Sequence, residues 1–212
     1  SLYLSLVIAL LSAVIATLIG TLAAVGINSM RGVKKRAYLA VNNIPVTNPD
    51  IVTGISMMIL FVFVLGIFNG MEMGFGTLLI THITFNIPYV VLNVLPKING
   101  MDRNIYNAAL DLGCPPVKAF MKVVVPEIMP GIVTGFIMAF TLSLDDFVIS
   151  YFNSGNSAQT LPVTIYSMTK KPYSPKINAL STLLFVSVLT LLVIVNMRNR
   201  RDAKKAKGGR KA

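Results

Sequence analysis

Two adjacent aspartates, Asp145 and Asp146, interrupt an apolar, otherwise uncharged run from Ile128 to about Phe152. A carboxylate is costly to bury in an apolar helix, and such groups usually mark the path of a charged or polar solute. A fixed carboxylate in that position can bind an organic cation through charge-assisted hydrogen bonds. The alternative is that the pair caps the outer end of the helix and has only a structural role.

The positions of the two aspartates on a helix predict different surroundings for them. Neighbouring residues of a helix point about 100° apart, so only one of the two carboxylates could line a cavity. Asp145 continues a stripe that contains Thr134, Met138 and Thr141. Asp146 continues a stripe of smaller residues suited to helix packing, namely Gly135, Ala139 and Leu142. We therefore expect Asp145 to face the cavity and Asp146 to turn into the bundle, with Ser143 as a further candidate for the substrate pathway.

The composition places these residues in a membrane protein. The chain has 212 residues, of which 54% are hydrophobic and 13% are charged, and its mean hydropathy is +0.71. Soluble domains carry roughly 25% charged residues. A single cysteine, Cys114, excludes an intramolecular disulfide framework, and with one histidine it makes a poor ligand set for structural zinc. Nothing in the composition indicates metal or redox chemistry.

Five runs, uncharged apart from Asp145 and Asp146 in the fourth, are long enough to cross a bilayer, which takes about 20 apolar residues. We predict an all-α, polytopic transmembrane helix bundle in which residues 1–197 form the transmembrane domain. The basic residues 198–212 form a cytoplasmic tail that we expect to be disordered. The five predicted spans are Leu2 to Ile27, Ile51 to Gly70, Gly74 to Leu95, Ile128 to about Phe152, and Ile177 to Met197.

The basic residues predict the orientation of the bundle, because cytoplasmic loops carry an excess of lysine and arginine. With the amino end outside, sixteen of the 19 basic residues fall inside and three fall outside. This distribution explains the net charge of +11 by contact with an anionic inner leaflet, without nucleic acid. The carboxyl terminus is then cytoplasmic. Because the chain opens with Ser1 directly inside an apolar run, we expect at least one preceding transmembrane helix, the sixth span, to be missing from it.

The loop from Pro96 to Glu127 predicts a helix-turn-helix elbow at the inner membrane face. Its apolar residues recur at helical spacing. Gly113 can supply the left-handed conformation that ends the first helix, and Pro115 and Pro116 suit the first turn of the second. Farther on, we expect three residues to break the path where the chain re-enters the membrane: Pro126, Pro130 and Gly131. From the residues alone, the elbow is either a docking surface or an amphipathic linker that packs on its own bundle.

Several motifs carry a resemblance to a known family. The segment AALDLG, from Ala108 to Gly113, followed by VVVPEIMPGI, resembles the EAA loop of the inner-membrane permease subunits of ABC importers. The segments FTLSLDDFVISYF, TLPVTIYSM, SPKINALSTL and NNIPVTNPDIVTGISMM resemble the polyamine (spermidine/putrescine) branch of that family. The resemblance covers most of the chain, and its most specific parts are the loop and SLDDF.

The resemblance implies a set of partners. In such transporters the elbow is a coupling helix that docks on a cytosolic ABC ATPase dimer, and a second permease subunit and an extracytoplasmic substrate-binding protein complete the complex. The chain has no phosphate-binding loop of its own, so ATP and Mg²⁺ are expected on the partner and no cofactor on this chain. The resemblance implies that the ATPase contacts five residues: Ala108, Ala109, Asp111, Leu112 and Gly113. One departure is Tyr106-Asn107, which stands where the family motif usually has glutamate.

The third span adds weaker candidates for the substrate pathway. Asn86 and Tyr89 flank Pro88 and could face the cavity, although the same segment could simply kink the helix. We interpret His82 as a hydrogen-bonded packing residue rather than a proton relay. The predicted function is a polyamine permease of the prokaryotic inner membrane that works by alternating access. The alternatives are a permease of the same fold for another small solute, and a membrane scaffold or channel without ATP coupling.

Overall fold

The computed structural model describes residues 1–67, 72–155, 158–169, 179 and 181–190, which form helices and contain no strand. The helices are α1 (Leu2–Ser29), α2 (Gly32–Thr47), α3 (Asp50–Ile67), α4 (Phe75–Asn99), α5 (Arg103–Asp111), α6 (Pro116–Ala119), α7 (Val125–Asp145), α8 (Val148–Asn153) and α9 (Leu161–Thr169). A π-helical turn, Phe120–Val124, connects α6 to α7. The chain divides into two units, residues 1–164 and 165–212, and helices α1 to α8 all lie in the first unit.

Four of the helical segments are long and apolar enough to cross a membrane: Leu2–Ser29, Asp50–Ile67, Phe75–Asn99 and Pro116–Asp145. They overlap the first four predicted spans, although the fourth begins and ends earlier than predicted, and the prediction of a polytopic helical bundle is confirmed. Of the fifth predicted span, the structure describes an apolar helix, Ser181–Thr190. The remainder of that span and the predicted tail, residues 198–212, lie outside the described residues.

The core is a three-helix bundle of α1, α4 and α7. Helix α7 runs antiparallel to α4, because Gly135 lies against Val90 while Ser143, farther along α7, meets His82, which is earlier in α4. Small residues bring the helices together, as is usual where membrane helices pack closely. On α7 these residues recur at every fourth position, and all are buried: Gly131, Gly135, Ala139 and Ser143.

The expected break at the membrane re-entry is wrong. Pro126 lies in the first turn of α7, Pro130 lies inside that helix, and Gly131 is a buried packing residue. The helical path is continuous because the π-turn closes with a bond from the Val125 N–H to the Phe120 carbonyl. Local π geometry of this kind lets a membrane helix accommodate proline without ending.

The expectation of one helix through both aspartates is also wrong. Helix α7 ends at Asp145, and Asp146 is extended, with φ −65° and ψ 120°. The chain resumes as the short helix α8, which packs against α3. Gly54 of α3 permits this approach, since a Cβ atom there would lie 3.4 Å from the Cα atom of Ile149. The two carboxylates are therefore separated by a helix end, not by rotation around one helix.

Candidate functional site

Asp145 occupies the last position of α7, and its side chain is exposed. The residues below it on the same stripe, Thr134 and Met138, are also exposed, while Thr141 is half-buried. The stripe therefore leads along α7 away from the three-helix core to an ionisable group at the helix end. The sequence predicted that Asp145 lines a cavity; the structure shows that its side chain is exposed, and its role toward a substrate stays a prediction.

Asp146 turns inward and stabilises the start of α8. The N–H groups of Ile149 and Ser150 donate to its two carboxylate oxygens, at 3.2 Å to Oδ1 and 2.7 Å to Oδ2. The first N–H groups of a helix have no partner within the helix, so a carboxylate that accepts from them acts as a cap. The capping role that the sequence left open as an alternative thus applies to Asp146. The geometry shows no equivalent role for Asp145.

Ser143 lies inside the bundle, with its side chain 5% exposed. Its Oγ atom is 2.7 Å from Nδ1 of His82 and 3.0 Å from Oγ of Ser12. Ser143 therefore joins α1, α4 and α7 instead of lying on the exposed stripe. A direct role for Ser143 in a substrate pathway would require a different arrangement of these helices.

His82 is buried and makes hydrogen bonds through both ring nitrogens, as the packing interpretation expected. Its Nε2 atom lies 3.1 Å from Oγ of Ser150 and 3.7 Å from Oδ2 of Asp146. The sequence did not predict the neighbouring carboxylate. Asp146 follows 64 positions later in the chain, and only helix packing brings the two together.

Asn86 and Tyr89 differ in their surroundings. Asn86 is fully buried, and neither atom of its amide group has a hydrogen-bond partner among the described residues. Tyr89 is half-buried, and its ring packs against Phe85 with the centroids 5.3 Å apart. Helix α4 continues past Pro88. Of the two candidates only Tyr89 reaches a surface, while Asn86 places a polar group within the core.

Asn153 is a buried residue that the sequence did not indicate. Its side-chain amide donates to the carbonyl of Gly54 at 3.1 Å and to that of Ile149 at 3.0 Å. The hydroxyl of Thr77 donates to the Asn153 carbonyl at 3.0 Å. Asn153 therefore ties α8 to both α3 and α4. The only sequence signal was an asparagine directly after an apolar segment, which is also typical of a solvated helix end.

The predicted elbow consists of α5 and the start of α6. Asp102 caps α5 by accepting from the N–H of Asn104, and Gly113 ends the turn with φ +81°, the left-handed conformation that the sequence predicted. Pro115 and Pro116 begin α6, also as predicted. Leu112 is 89% exposed between the two helices. Among the other predicted contact residues, Ala108 and Asp111 are exposed and Ala109 is half-buried.

One known protein family matches most of the chain. The sequence profile of the family described as binding-protein-dependent transport system inner membrane component matches residues 16–200, which includes α4, the elbow and α7. The chain belongs to this family. It is thus a permease of a transport system, a membrane subunit rather than an enzyme.

Individual members of this permease family are similar over most of the chain. The spermidine/putrescine transport system permease protein PotC of Shigella flexneri is 40% identical over 205 residues, which cover 97% of this chain and 75% of the relative. PotC of Haemophilus influenzae is 37% identical over 198 residues, 93% of this chain and 75% of the relative. The putrescine transport system permease protein PotI of Escherichia coli K12 is 39% identical over 189 residues, 87% of this chain and 66% of the relative.

Membership agrees with the four apolar helices in identifying a multi-pass membrane protein. Permeases of such systems act within a membrane complex that contains further subunits. Asp145 is an exposed acidic residue at the end of a membrane-spanning helix, and the buried carboxylate of Asp146 follows it directly in the chain.

Proposed function

We propose that this chain is a transmembrane permease subunit of an ATP-driven ABC importer that moves spermidine or putrescine across the prokaryotic cell membrane by alternating access. ATP and Mg²⁺ bind to a cytosolic ATPase dimer. A second permease subunit and an extracytoplasmic substrate-binding protein complete the complex. The carboxyl terminus lies in the cytoplasm, as the distribution of basic residues indicates.

The observation that carries the polyamine assignment is the exposed Asp145 at the end of a membrane-spanning helix. An organic polycation loses hydration when it enters the membrane, and a fixed carboxylate offsets part of that cost through charge-assisted hydrogen bonds. The relatives named for spermidine and putrescine transport support this choice of substrate class. Asp146 has a different task, because its oxygens are already occupied by the N–H groups of α8.

The coupling part of the proposal concerns the elbow. Leu112 stands exposed between α5 and α6, next to the left-handed Gly113. A protruding apolar side chain flanked by small exposed residues fits a cleft on a partner protein, since contact with that partner removes its apolar surface from water. The α6 end of the elbow continues without a break into α7. Force that reaches α6 through the turn at Gly113 is therefore carried to Asp145 along one helical path, Pro116–Asp145, which suits a rigid-body switch between two packings.

The test is uptake of radiolabelled spermidine by the complete complex in proteoliposomes, comparing Asp145→Asn with Glu127→Gln. Both replacements remove one exposed carboxylate from α7, but Glu127 lies in the first turn of the helix, at the opposite end from Asp145. Losing a charge-assisted hydrogen bond costs about 1.5–3 kcal/mol, so kcat/KM for spermidine uptake should fall by about tenfold or more in Asp145→Asn. The Glu127 variant should keep the concentration dependence for spermidine. Unchanged uptake in Asp145→Asn would remove this carboxylate from the substrate route.

One observation favours a second candidate, a permease of the same fold for another small solute. One of the two aspartates is engaged in capping α8, so the acidic pair acts as a single accessible charge and not as a double site for a polycation. Competition separates the candidates. Excess putrescine should abolish the uptake of labelled spermidine, whereas a neutral solute of similar size should leave it unchanged. The reverse pattern would support the second candidate.

A further inference from the structure

A chain of hydrogen-bonded side chains surrounds the break between α7 and α8. His82 of α4 is at its centre, with Nδ1 2.7 Å from Oγ of Ser143 and Nε2 3.1 Å from Oγ of Ser150. Ser143 continues the chain to Ser12 of α1 at 3.0 Å, and Oδ2 of Asp146 lies 3.7 Å from Nε2. All five residues have side chains that are buried or nearly so. We call them the His82 network.

The His82 network holds both sides of the break. Ser143 belongs to the last turn of α7, and Ser150 belongs to α8. The two serines bind opposite nitrogens of one imidazole ring, so the ring determines how far apart the ends of the two helices can lie. Asp146, between them, caps α8 and also lies beside the ring. The His82 imidazole therefore makes hydrogen bonds to both helices, α7, which ends at the break, and α8, which begins after it.

The local sequence does not by itself require a break at this place. The segment from Ser143 to Ser150 reads SLDDFVIS and contains neither glycine nor proline, the residues that usually interrupt helices. Ending α7 at Asp145 leaves its last carbonyl groups without partners inside the helix. Side-chain contacts from outside the segment must offset that cost. The bonds from His82 to Ser143 and Ser150 are contacts of this kind.

The break decides what surrounds Asp145. In a continuous helix, residues three and four positions farther on lie on the same face. Val148 and Ile149 would then stand next to the Asp145 carboxylate and cover it with apolar groups. In the structure, Ile149 is instead buried against Gly54 of α3, and Asp145 is exposed. Breaking the helix therefore clears the approach to Asp145.

We propose that His82 is a positioning residue for substrate passage: by binding Ser143 and Ser150 it maintains the break between α7 and α8 and so keeps Asp145 accessible. This inference rests on the proposed function in one respect, the role of Asp145 toward the substrate. Its structural part, the dependence of the accessibility of position 145 on His82, stands on the geometry alone.

The experiment measures that accessibility directly. Asp145→Cys is introduced with Cys114→Ser, so that the complete complex in membranes carries one reporter thiol on this chain. The rate of modification by a cationic, water-soluble methanethiosulfonate reagent is then compared with that after a second change at His82. His82→Leu removes both bonds of the ring, and the rate should fall by about tenfold, a change of the order expected for the loss of two ordinary hydrogen bonds.

Two conservative variants distinguish positioning of α8 from general packing. The amide of asparagine lies close to the position of Nδ1, and that of glutamine lies close to Nε2, so His82→Asn keeps the partner Ser143 while His82→Gln keeps the partner Ser150. The labelling rate should recover in part in His82→Gln, which keeps α8 bonded to α4, and stay low in His82→Asn, which does not. A residue that only joined α4 to α7 would give the opposite order. Thr84→Val is the matched control on the same helix, because the Thr84 hydroxyl is exposed and bonds to Ile80 of its own helix.

Unchanged labelling in His82→Leu and His82→Asn would overturn the proposal. If His82→Leu fails to assemble, Ser150→Ala takes its place, since it removes the same bond to α8 while keeping the ring. A second readout uses the native Asp145: His82→Asn should raise the KM for spermidine more than it lowers kcat. If Asp145→Asn transports normally, the proposed substrate role of Asp145 fails, but the labelling series still decides the role of His82.

Discussion

Gly20 of α1 packs directly against Val90 of α4: a Cβ atom on Gly20 would lie 2.8 Å from both the Cβ and Cγ1 atoms of Val90 and 3.2 Å from the Ile87 carbonyl oxygen. On the other side of Val90, a Cβ atom on Gly135 of α7 would lie 3.3 Å from its Cα atom. One valine thus fills the space between two glycines of neighbouring helices. The close approach of the three core helices depends on this layer.

Gly20→Ala should destabilise the permease, because the added methyl group cannot fit without moving α1 away from α4. Overpacking of a well-packed core costs about 1–3 kcal/mol. The control is Gly26→Ala in the same helix, where an added Cβ atom meets no atom within 4 Å. Thermal unfolding of the purified complex in detergent should give a lower Tm for Gly20→Ala than for Gly26→Ala. Equal Tm values would show that α1 and α4 can move apart without a loss of stability.

Asp146→Ala should lower stability more than Asp145→Ala. Asp146 accepts hydrogen bonds from two N–H groups at the start of α8, whereas Asp145 is exposed at the end of α7. Loss of a helix cap costs about 0.5–2 kcal/mol. The free energies of unfolding of the two variants are compared by chemical denaturation of the complex, which is monitored by the fluorescence of an attached dye. A larger loss in Asp145→Ala would contradict the assignment of the two carboxylates.

Gly113 should tolerate asparagine better than valine. Its φ of +81° lies in the left-handed region, which asparagine visits far more readily than a β-branched residue. The penalty for a residue with a Cβ atom is about 1–2 kcal/mol, and it falls on the turn that presents Leu112. We therefore expect Gly113→Val to reduce the stimulation of ATP hydrolysis by the loaded binding protein, and Gly113→Asn to retain most of it. A Cβ atom at Gly113 meets no atom within 4 Å. A similar loss of ATPase stimulation in both variants would therefore indicate that position 113 contacts the ATPase partner.

Asn86→Leu should raise the thermal stability of the complex. The amide of Asn86 is fully buried, and neither of its polar atoms has a partner among the described residues. A buried polar group without a hydrogen bond costs about 1–3 kcal/mol, a cost that an apolar side chain of similar size does not carry. Asn43→Leu is the control, since Asn43 is exposed on α2 and should show no such gain. A clear loss of stability in Asn86→Leu would mean that the amide is bonded in the assembled transporter.

Much of the fold could be predicted from patterns that are local in the chain. Apolar length predicted the first four spans because the thickness of the bilayer sets the number of residues that a helix needs. The turn at Gly113 and the start of α6 at Pro115 and Pro116 were also predicted correctly, since glycine and proline restrict or release backbone angles at their own positions. Helical periodicity also placed Asp145 on one stripe with Thr134 and Met138, and all three are exposed.

Two errors concern helix breaks: a neighbouring π-turn decides one of them, and contacts between distant parts of the chain decide the other. Pro126 and Pro130 do not break the helix, because the π-turn before them adjusts the hydrogen bonding. The helix does break after Asp145, where the local sequence has no glycine or proline to signal it.

By itself, the sequence determined that this protein is a helical membrane protein with an elbow and an acidic pair, because composition, apolar length and turn residues act over a few neighbours; the permease function followed from the family resemblance. Only the tertiary structure decided that Asp146 caps α8 while Asp145 remains open, and that His82 and Ser143 lie together beside the break. The physical reason is that the break between α7 and α8 involves contacts between distant residues: His82 and Ser143 are 61 positions apart, and Ser143 also meets Ser12, 131 positions away. Such pairings depend on how α1, α4 and α7 pack, which no local pattern specifies.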